Sequence, residues 1–333
     1  IDIPITGDGL YAILSPSGKY LAYFDDSGFK QYDRDSGSVL KIYSATTGWV
    51  YHATYTDDEK MLAYNDAEGL KIYNLESGTV QSVIRHELDP LTIYGDHYYY
   101  PDKWSPDNNW LVIGLVYYEG SPDLSLYNLS TQKIYALTDC YSDVIWANDS
   151  TALYYSVSYS GFSWCGENPG IFQATFDGKD IIEQVLYAST CSLETSECQV
   201  TSLGLDHSGE VFSFNEQSGE GSAITLLFPD GSILTETSPT QIWGNSLIWS
   251  DTSNEVIYAN QVGVYRMTID TFEKTMLAPL PSGSESLVLS PDARWLVVER
   301  SHQMTPMVHL IDVNNDFFID IMCDHFIGWD TWR

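Results

Sequence analysis

The chain has 333 residues, 44% hydrophobic, 14% aromatic and only 18% charged, a composition that supports a large packed core and excludes a disordered chain. It carries 46 acidic against 15 basic residues, a formal net charge of −31. A surface this negative repels phosphate backbones and anionic headgroups, which sets nucleic acid and acidic membranes aside and favours solubility, cations or a basic partner.

No apolar run approaches the roughly 18 residues of a membrane-crossing helix, so no membrane span is expected. The chain opens on Ile1, which reads as a processed or trimmed N-terminus. An orphan strand is expected in 1–6 (IDIPIT). The first repeat follows it, and six more come after. Seven nine-residue stretches align without gaps: SPSGKYLAY (15–23), TDDEKMLAY (56–64), SPDNNWLVI (105–113), ANDSTALYY (147–155), DHSGEVFSF (206–214), SDTSNEVIY (250–258) and SPDARWLVV (290–298). Each begins with polar turn formers and ends in a β-type apolar run. A large apolar residue precedes each: Leu14, Tyr55, Trp104, Trp146, Leu205, Trp249 and Leu289. The intervals are 41, 49, 42, 59, 44 and 40 residues, close to the roughly 40 to 50 of a four-stranded propeller blade.

Behind each stretch comes a second hairpin, two apolar runs around a polar turn: 28–43, 69–84, 123–138, 263–278 and 307–322, with looser versions around 176–180 and 228–232. Each repeat is therefore four strands, A to D, with no sustained helical period. The expected fold is all-β: one domain over 1–333, a seven-bladed β-propeller of four-stranded antiparallel blades. The blades run roughly over 9–43, 50–84, 99–138, 142–187, 201–237, 244–278 and 285–322. A further strand is expected in 325–333, where Trp329 falls 40 residues after Leu289. The terminal strands either seal the ring or add to a neighbouring molecule and self-assemble; sealing is the simpler expectation.

SPSGKYLAY, SPDNNWLVI and SPDARWLVV resemble the S-P-D-G-x-x-L-A-Y turn of WD40-like propellers of the TolB (PD40) type. The resemblance covers nearly the whole chain and implies the propeller; it is nearly silent on activity, because this fold hosts many. The Gly-His and Trp-Asp marks of eukaryotic WD40 repeats are missing, so partners of that family do not carry over.

In such a blade the A–B and C–D turns share one face and the B–C and D–A loops the other. The insertions fall in the second set: 86–102, 117–123, 158–170 and the segment around Cys191–Cys198. Their rings, Tyr94, His97, Tyr98, Tyr117, Tyr118, Tyr159, Phe162 and Trp164, are the candidate binding residues, since aromatics anchor interfaces and stack on sugars. The competing reading has each ring packing its loop onto the blade beneath. Cys191 and Cys198 flank a short polar segment and read as a disulfide; Cys140 and Cys165 bracket the fourth blade and form a second candidate pair. With Cys323 the count is odd. Asn128 and Asn148 open N-x-S sequons in expected turns.

Catalytic motifs are missing: no G-x-S-x-G elbow, P-loop, H-E-x-x-H or dinucleotide glycine motif occurs. Asp312, Asn314 and Asp316 alternate as in a calcium loop, but Phe317 and Cys323 stand where its Gly and Glu belong, so the segment reads as a C–D turn. No cofactor, metal or catalytic residue is assigned. The expected function is a non-catalytic extracytoplasmic binding or scaffold module for a protein, peptide or glycan. The alternative is a carbohydrate-active enzyme with acidic residues around the central channel.

Overall fold

The computed structural model describes residues 12–25, 28–44, 52–85, 98–116, 122–160, 169–176, 180–189, 197–206, 208–218, 221–238, 247–249, 254–259, 262–279, 286–289, 294–300, 307–312 and 317–321. These residues hold strands and turns and no helix. The chain divides at Cys140–Tyr141 into two compact units.

The first unit holds three antiparallel sheets of four strands each. They are β1 (Ala12–Leu14), β2 (Tyr20–Asp25), β3 (Gly28–Asp33) and β4 (Val39–Ser44); β5 (Ala53–Tyr55), β6 (Met61–Asp66), β7 (Gly69–Asn74) and β8 (Val80–Arg85); and β9 (Tyr98–Trp104), β10 (Trp110–Val116), β11 (Asp123–Asn128) and β12 (Lys133–Thr138). The second unit opens with β13 (Tyr141–Trp146), β14 (Ala152–Val157), a two-residue β15 (Tyr159–Ser160), β16 (Gly170–Phe176) and β17 (Ile181–Ala188). It continues with β18 (Glu197–Leu205), β19 (Phe212–Ser218), β20 (Gly221–Leu227) and β21 (Ile233–Ser238), then β22 (Leu247–Trp249), β23 (Glu255–Ala259), β24 (Gly263–Thr268) and β25 (Lys274–Pro279). The last sheet is β26 (Ser286–Leu289), β27 (Trp295–Arg300), β28 (Met307–Asp312) and β29 (Phe317–Ile321). Asp312 and Phe317 are register partners of β28 and β29, and 313–316, with Asn314 and Asp316, lie outside the described residues.

One sheet departs from the four-strand pattern. β15 leaves β14 and pairs with β18, Tyr159 opposite Cys198 and Ser160 opposite Glu197, giving five strands in the order β15-β18-β19-β20-β21. The start of β18 is already bonded to β19 on its other side, and the added strand pairs the backbone groups that an inner edge would leave open. Tyr159 and Cys198, expected in loops, thus lie in strands.

Four of the described A–B turns repeat one device. An oxygen on the first side chain accepts the N–H of the sixth residue: Ser15 Oγ from Tyr20 (3.0 Å), Thr56 Oγ1 from Met61 (3.0 Å), Ser105 Oγ from Trp110 (2.9 Å) and Asp206 Oδ1 from Val211 (2.8 Å). The fourth residue has positive φ, as at Glu59 (55°), Asn108 (59°) and Ser150 (61°), which explains the polar and glycine residues there. In the first unit the C–D turns use a side-chain amide or carboxylate: Asp33, Asn74 and Asn128 Oδ1 accept the N–H of Ser36, Ser77 and Thr131.

Neighbouring sheets share apolar layers within each unit. Phe24, Phe29, Leu62 and Tyr64 pack between the first two sheets, and Leu70, Trp104, Leu111 and Ile113 between the second and third. In the second unit Ile171, Val200 and Phe214 form one layer, and Ile224, Val256, Tyr258 and Met267 another. Covering both faces explains why the second strand reads as an unbroken apolar run rather than an alternation. The residue ending the A strand ties sheet to sheet. Tyr55 OH donates to Gln31 Oε1 (3.1 Å), Trp104 Nε1 to the Thr54 carbonyl (3.2 Å) and Trp249 Nε1 to Ser213 Oγ (2.9 Å).

The third strand bulges against the fourth at Phe29/Lys30, Leu70/Lys71 and Ile171/Phe172. At Gly69 (φ 135°) a Cβ would lie 2.0 Å from the Ile84 carbonyl oxygen, whereas at Gly37 (φ 70°) it would meet nothing within 4 Å. Gly69→Ala should therefore cost about 2 kcal/mol or more, from strain plus collision. Gly37→Ala should cost about 1 kcal/mol, from backbone conformation alone. Urea denaturation measures both, and equal losses would refute the close approach.

Candidate functional site

The B–C and D–A connections leave the ends of the sheets opposite the A–B turns. In the first unit the described residues there form a ring cluster and an ion cluster. His52 leads into β5; its N–H donates to Asn65 Oδ1 (2.8 Å) and its carbonyl accepts the Asn65 N–H (3.2 Å). Its imidazole stacks on Tyr98 (centroids 6.2 Å, 21° between planes) and lies 4.6 Å from Tyr100. Tyr98 and Tyr100 share a side of β9 because strand side chains alternate, and Tyr99 packs instead with the apolar layer of Leu70 and Leu111. Gly114 faces Tyr100 in register, and a Cβ there would fall 2.2 Å from its ring. Burial lowers the His52 pKa, and Asp102 opposes that in part.

Beside this cluster, Lys71 Nζ sits 2.7 Å from Asp66 Oδ2 and 2.6 Å from Glu68 Oε2. The Asp66 side chain is 0% exposed, so the pair clamps the turn between β6 and β7 from inside. Burial pulls the Lys71 ammonium down, but its hydrogen bonds to Asp66 and Glu68 outweigh that and leave it raised; the Lys71 hydrogen bond holds Glu68 below its ordinary value.

The second unit carries hydroxyl clusters. Ser142 and Ser158 hydroxyls share a hydrogen bond (2.6 Å), both oxygens lie within reach of the Val200 carbonyl (3.1 and 3.2 Å), and Ser158 accepts the Val200 N–H (2.9 Å). Asp143 Oδ2 accepts the Leu203 N–H (2.8 Å). Glu216 accepts from Tyr187 OH (2.8 Å) and Ser189 Oγ, and burial followed by the hydrogen bond to Glu216 pushes the Tyr187 phenol well above its ordinary value. The Asn215 carboxamide is buried with no hydrogen-bond partner among the described residues. These groups chiefly join strands: their described acceptors are backbone carbonyls, one another and single carboxylates.

Of the expected binding residues, only Tyr98 has a described side chain, half-buried against His52. Tyr94, His97, Tyr117, Tyr118, Phe162 and Trp164 lie outside the described residues, as do Cys165, Cys191 and Cys323, and the side chains of Tyr159 and Cys198 are not described. Cys140 is buried and disulfide-bonded. Asn128 is only 5% exposed, while Asn148 is exposed. Sequence reasoning missed the His52–Tyr98–Tyr100 stack and the Lys71 clamp. The alternation of HYYYPD along a strand was the available signal for the stack.

No family model matches the chain, and no curated protein does. Among solved structures, oligogalacturonate lyase from Vibrio parahaemolyticus aligns over 92% of both chains at 10% identity with a TM-score of 0.58. Oligogalacturonate lyase in complex with manganese aligns over 90% of both at 10% identity and 0.56. Dipeptidyl peptidase 4 from Porphyromonas gingivalis matches 97% of this chain and 53% of its own at 14% identity and 0.62. At such identities the likeness shows the fold alone, and that fold is a β-propeller.

The imidazole gives a stability test. Above its ordinary pKa of 6.5, His52 is neutral in folded and unfolded chains alike. As pH falls through that value the unfolded chain binds the proton first, so stability drains away until the folded ring also protonates. In urea titrations the stability of wild type minus that of His52→Phe should shrink as pH falls from about 8 to about 5. A constant difference would mean the ring is not held neutral by burial.

Proposed function

We propose that the chain is a seven-bladed propeller of the TolB repeat type, a single domain over 1–333, acting as an extracytoplasmic binding or scaffold module without catalysis. Its ring is sealed by strands in 1–6 and 325–333. The observation that carries this reading is the unequal length of the connections. Tight capped turns join strands A–B and C–D, whereas 86–97, 117–121, 161–168 and 190–196 leave from the opposite ends and hold Tyr94, His97, Tyr117, Tyr118, Phe162 and Trp164. Long loops on a rigid scaffold are where recognition residues gather, and aromatic rings supply area at low entropic cost. The ligand class is a protein, peptide or glycan, with a net charge of −31 favouring a basic or neutral partner. The disulfide at Cys140 favours an oxidising compartment. No helix among the described residues is long and apolar enough to cross a membrane.

A second reading follows from the oligogalacturonate lyase likeness: a carbohydrate-active enzyme with carboxylates around the propeller axis. One experiment separates the two. The purified chain is tested for binding to a panel of neutral and acidic polysaccharides and a displayed peptide library, and for release of unsaturated ends from oligogalacturonate. Binding should fall at least about tenfold, equal to about 1.4 kcal/mol, in the Tyr94→Ala/Tyr117→Ala/Tyr118→Ala variant with the fold retained. Undiminished binding, or turnover of oligogalacturonate, would overturn the proposal.

The cysteines are assigned as Cys140–Cys165 and Cys191–Cys198, leaving Cys323 unpaired within the chain. Peptide mapping without reduction should recover these two links. Reduction of the first, which closes a loop of roughly 25 residues, should cost about 3 kcal/mol. Recovery of Cys140 linked to Cys191 or Cys323 would refute the assignment.

A further inference from the structure

We propose that Asn148 is an acceptor for an N-linked glycan and that Asn128, which opens the other N-x-S sequon, is not. Asn128 ends β11 and is 5% exposed. Its Oδ1 accepts both the N–H (2.8 Å) and the hydroxyl (2.9 Å) of Thr131, and its carbonyl accepts the Gln132 N–H (2.8 Å). The sequon hydroxyl of Ser130 donates to Asn109 Oδ1 (2.6 Å). A sugar on Asn128 would emerge from a buried amide and break the turn that this amide caps.

Asn148 stands at the second position of the A–B turn of the β13–β17 sheet, the place held by Pro16, Asp57 and Pro106 in other repeats. Its side chain is exposed and makes no hydrogen bond among the described residues. Asp149 carries the turn instead, accepting the N–H (3.0 Å) and hydroxyl (2.7 Å) of Thr151. Ser150 is tucked into the turn at φ 61°, so transfer needs the turn to open. Among the described A–B turns, this one is suited to opening. Ala147 occupies the first position, where Ser15, Thr56, Ser105 and Asp206 each cap the sixth N–H, so one hydrogen bond of the repeat is missing. The six residues of β14 separate it from the end where 161–168 leaves, a run of roughly 20 Å. A glycan at Asn148 therefore leaves its sheet from the end opposite that of 161–168.

The donor class is a lipid-linked oligosaccharide. Asn148 Nδ2 bonds to the anomeric carbon and loses one proton, while the bond from that carbon to the diphosphate oxygen breaks and the lipid diphosphate departs with the electron pair. The inference rests on the extracytoplasmic reading only for where the transferase acts, and a host that supplies the secretory route tests the acceptor separately. The full chain is secreted from N-glycosylating cells, and its folded fraction is treated with the amidase that converts glycosylated Asn to Asp. One glycan per chain is expected, with the conversion mapped to residue 148 and lost in Asn148→Gln and Ser150→Ala. Conversion at residue 128 in the folded fraction, or none at 148 while a control sequon protein is modified, would overturn the assignment.

Discussion

Face-to-face packing of neighbouring sheets is the constraint on which the rest of the molecule depends. A strand covered on both faces has no solvent side, so its side chains must be apolar whichever way they point. Leu62, Ala63 and Tyr64 in β6 and Leu111, Val112 and Ile113 in β10 are all nearly or wholly buried, and each such large side chain contributes roughly 1.5–3 kcal/mol. Polar chemistry is thereby driven to strand ends, turns and loops. The tie from Trp104 to the Thr54 carbonyl and that from Trp249 to Ser213 sit where one sheet's first strand meets its neighbour. There a large ring fills the layer and its single donor satisfies a buried acceptor.

The fold was legible because each repeat states the same two requirements in residues. The first turn position needs an oxygen and the fourth a residue tolerant of positive φ, which is why T-D-D-E and S-P-D-N align although they share little else. Where the chemistry departs, as at Ala147, the strand pairing persists because the carbonyl of Ala152 still takes the Ala147 N–H (2.9 Å). The added strand β15 was not legible. Two residues carry no periodicity, and their partner is set by where the preceding strand ends rather than by their own side chains.

The site was legible only in outline. Tyr98 stood out as an aromatic in an inserted segment, but its contact with His52 depends on two A strands lying side by side, which spacing along the chain does not encode. The Lys71 clamp was hidden for the opposite reason. D-A-E-G-L-K reads as an ordinary polar turn, and only burial of the Asp66 side chain turns it into an internal tie. Asn128 and Asn148 looked equivalent as sequons; one caps a turn and the other does not, a difference made by fold position alone.

The distribution of the few cations bears on partner choice. Lys41, Arg85, Lys133 and Lys274 lie on the outermost strands β4, β8, β12 and β25, where a charged side chain discourages pairing with another chain. Lys71 is held by two carboxylates, Arg266 lies 3.4 Å from Glu255 and Arg294 lies 3.6 Å from Asp312. A chain with 15 basic residues thus places many of them in edge protection and local pairing. Its acidic excess is left broadly uncompensated, and the outer edges that would otherwise invite strand addition are partly guarded. β17, β21 and β29 differ in carrying no cation, and β17 presents Glu183 and Gln184 between exposed Ile182 and Val185. Recognition by backbone pairing is therefore disfavoured at the outer edges formed by β4, β8, β12 and β25. The loop ends, where ring-bearing segments leave a rigid frame, are the surface on which selectivity for a ligand can be built.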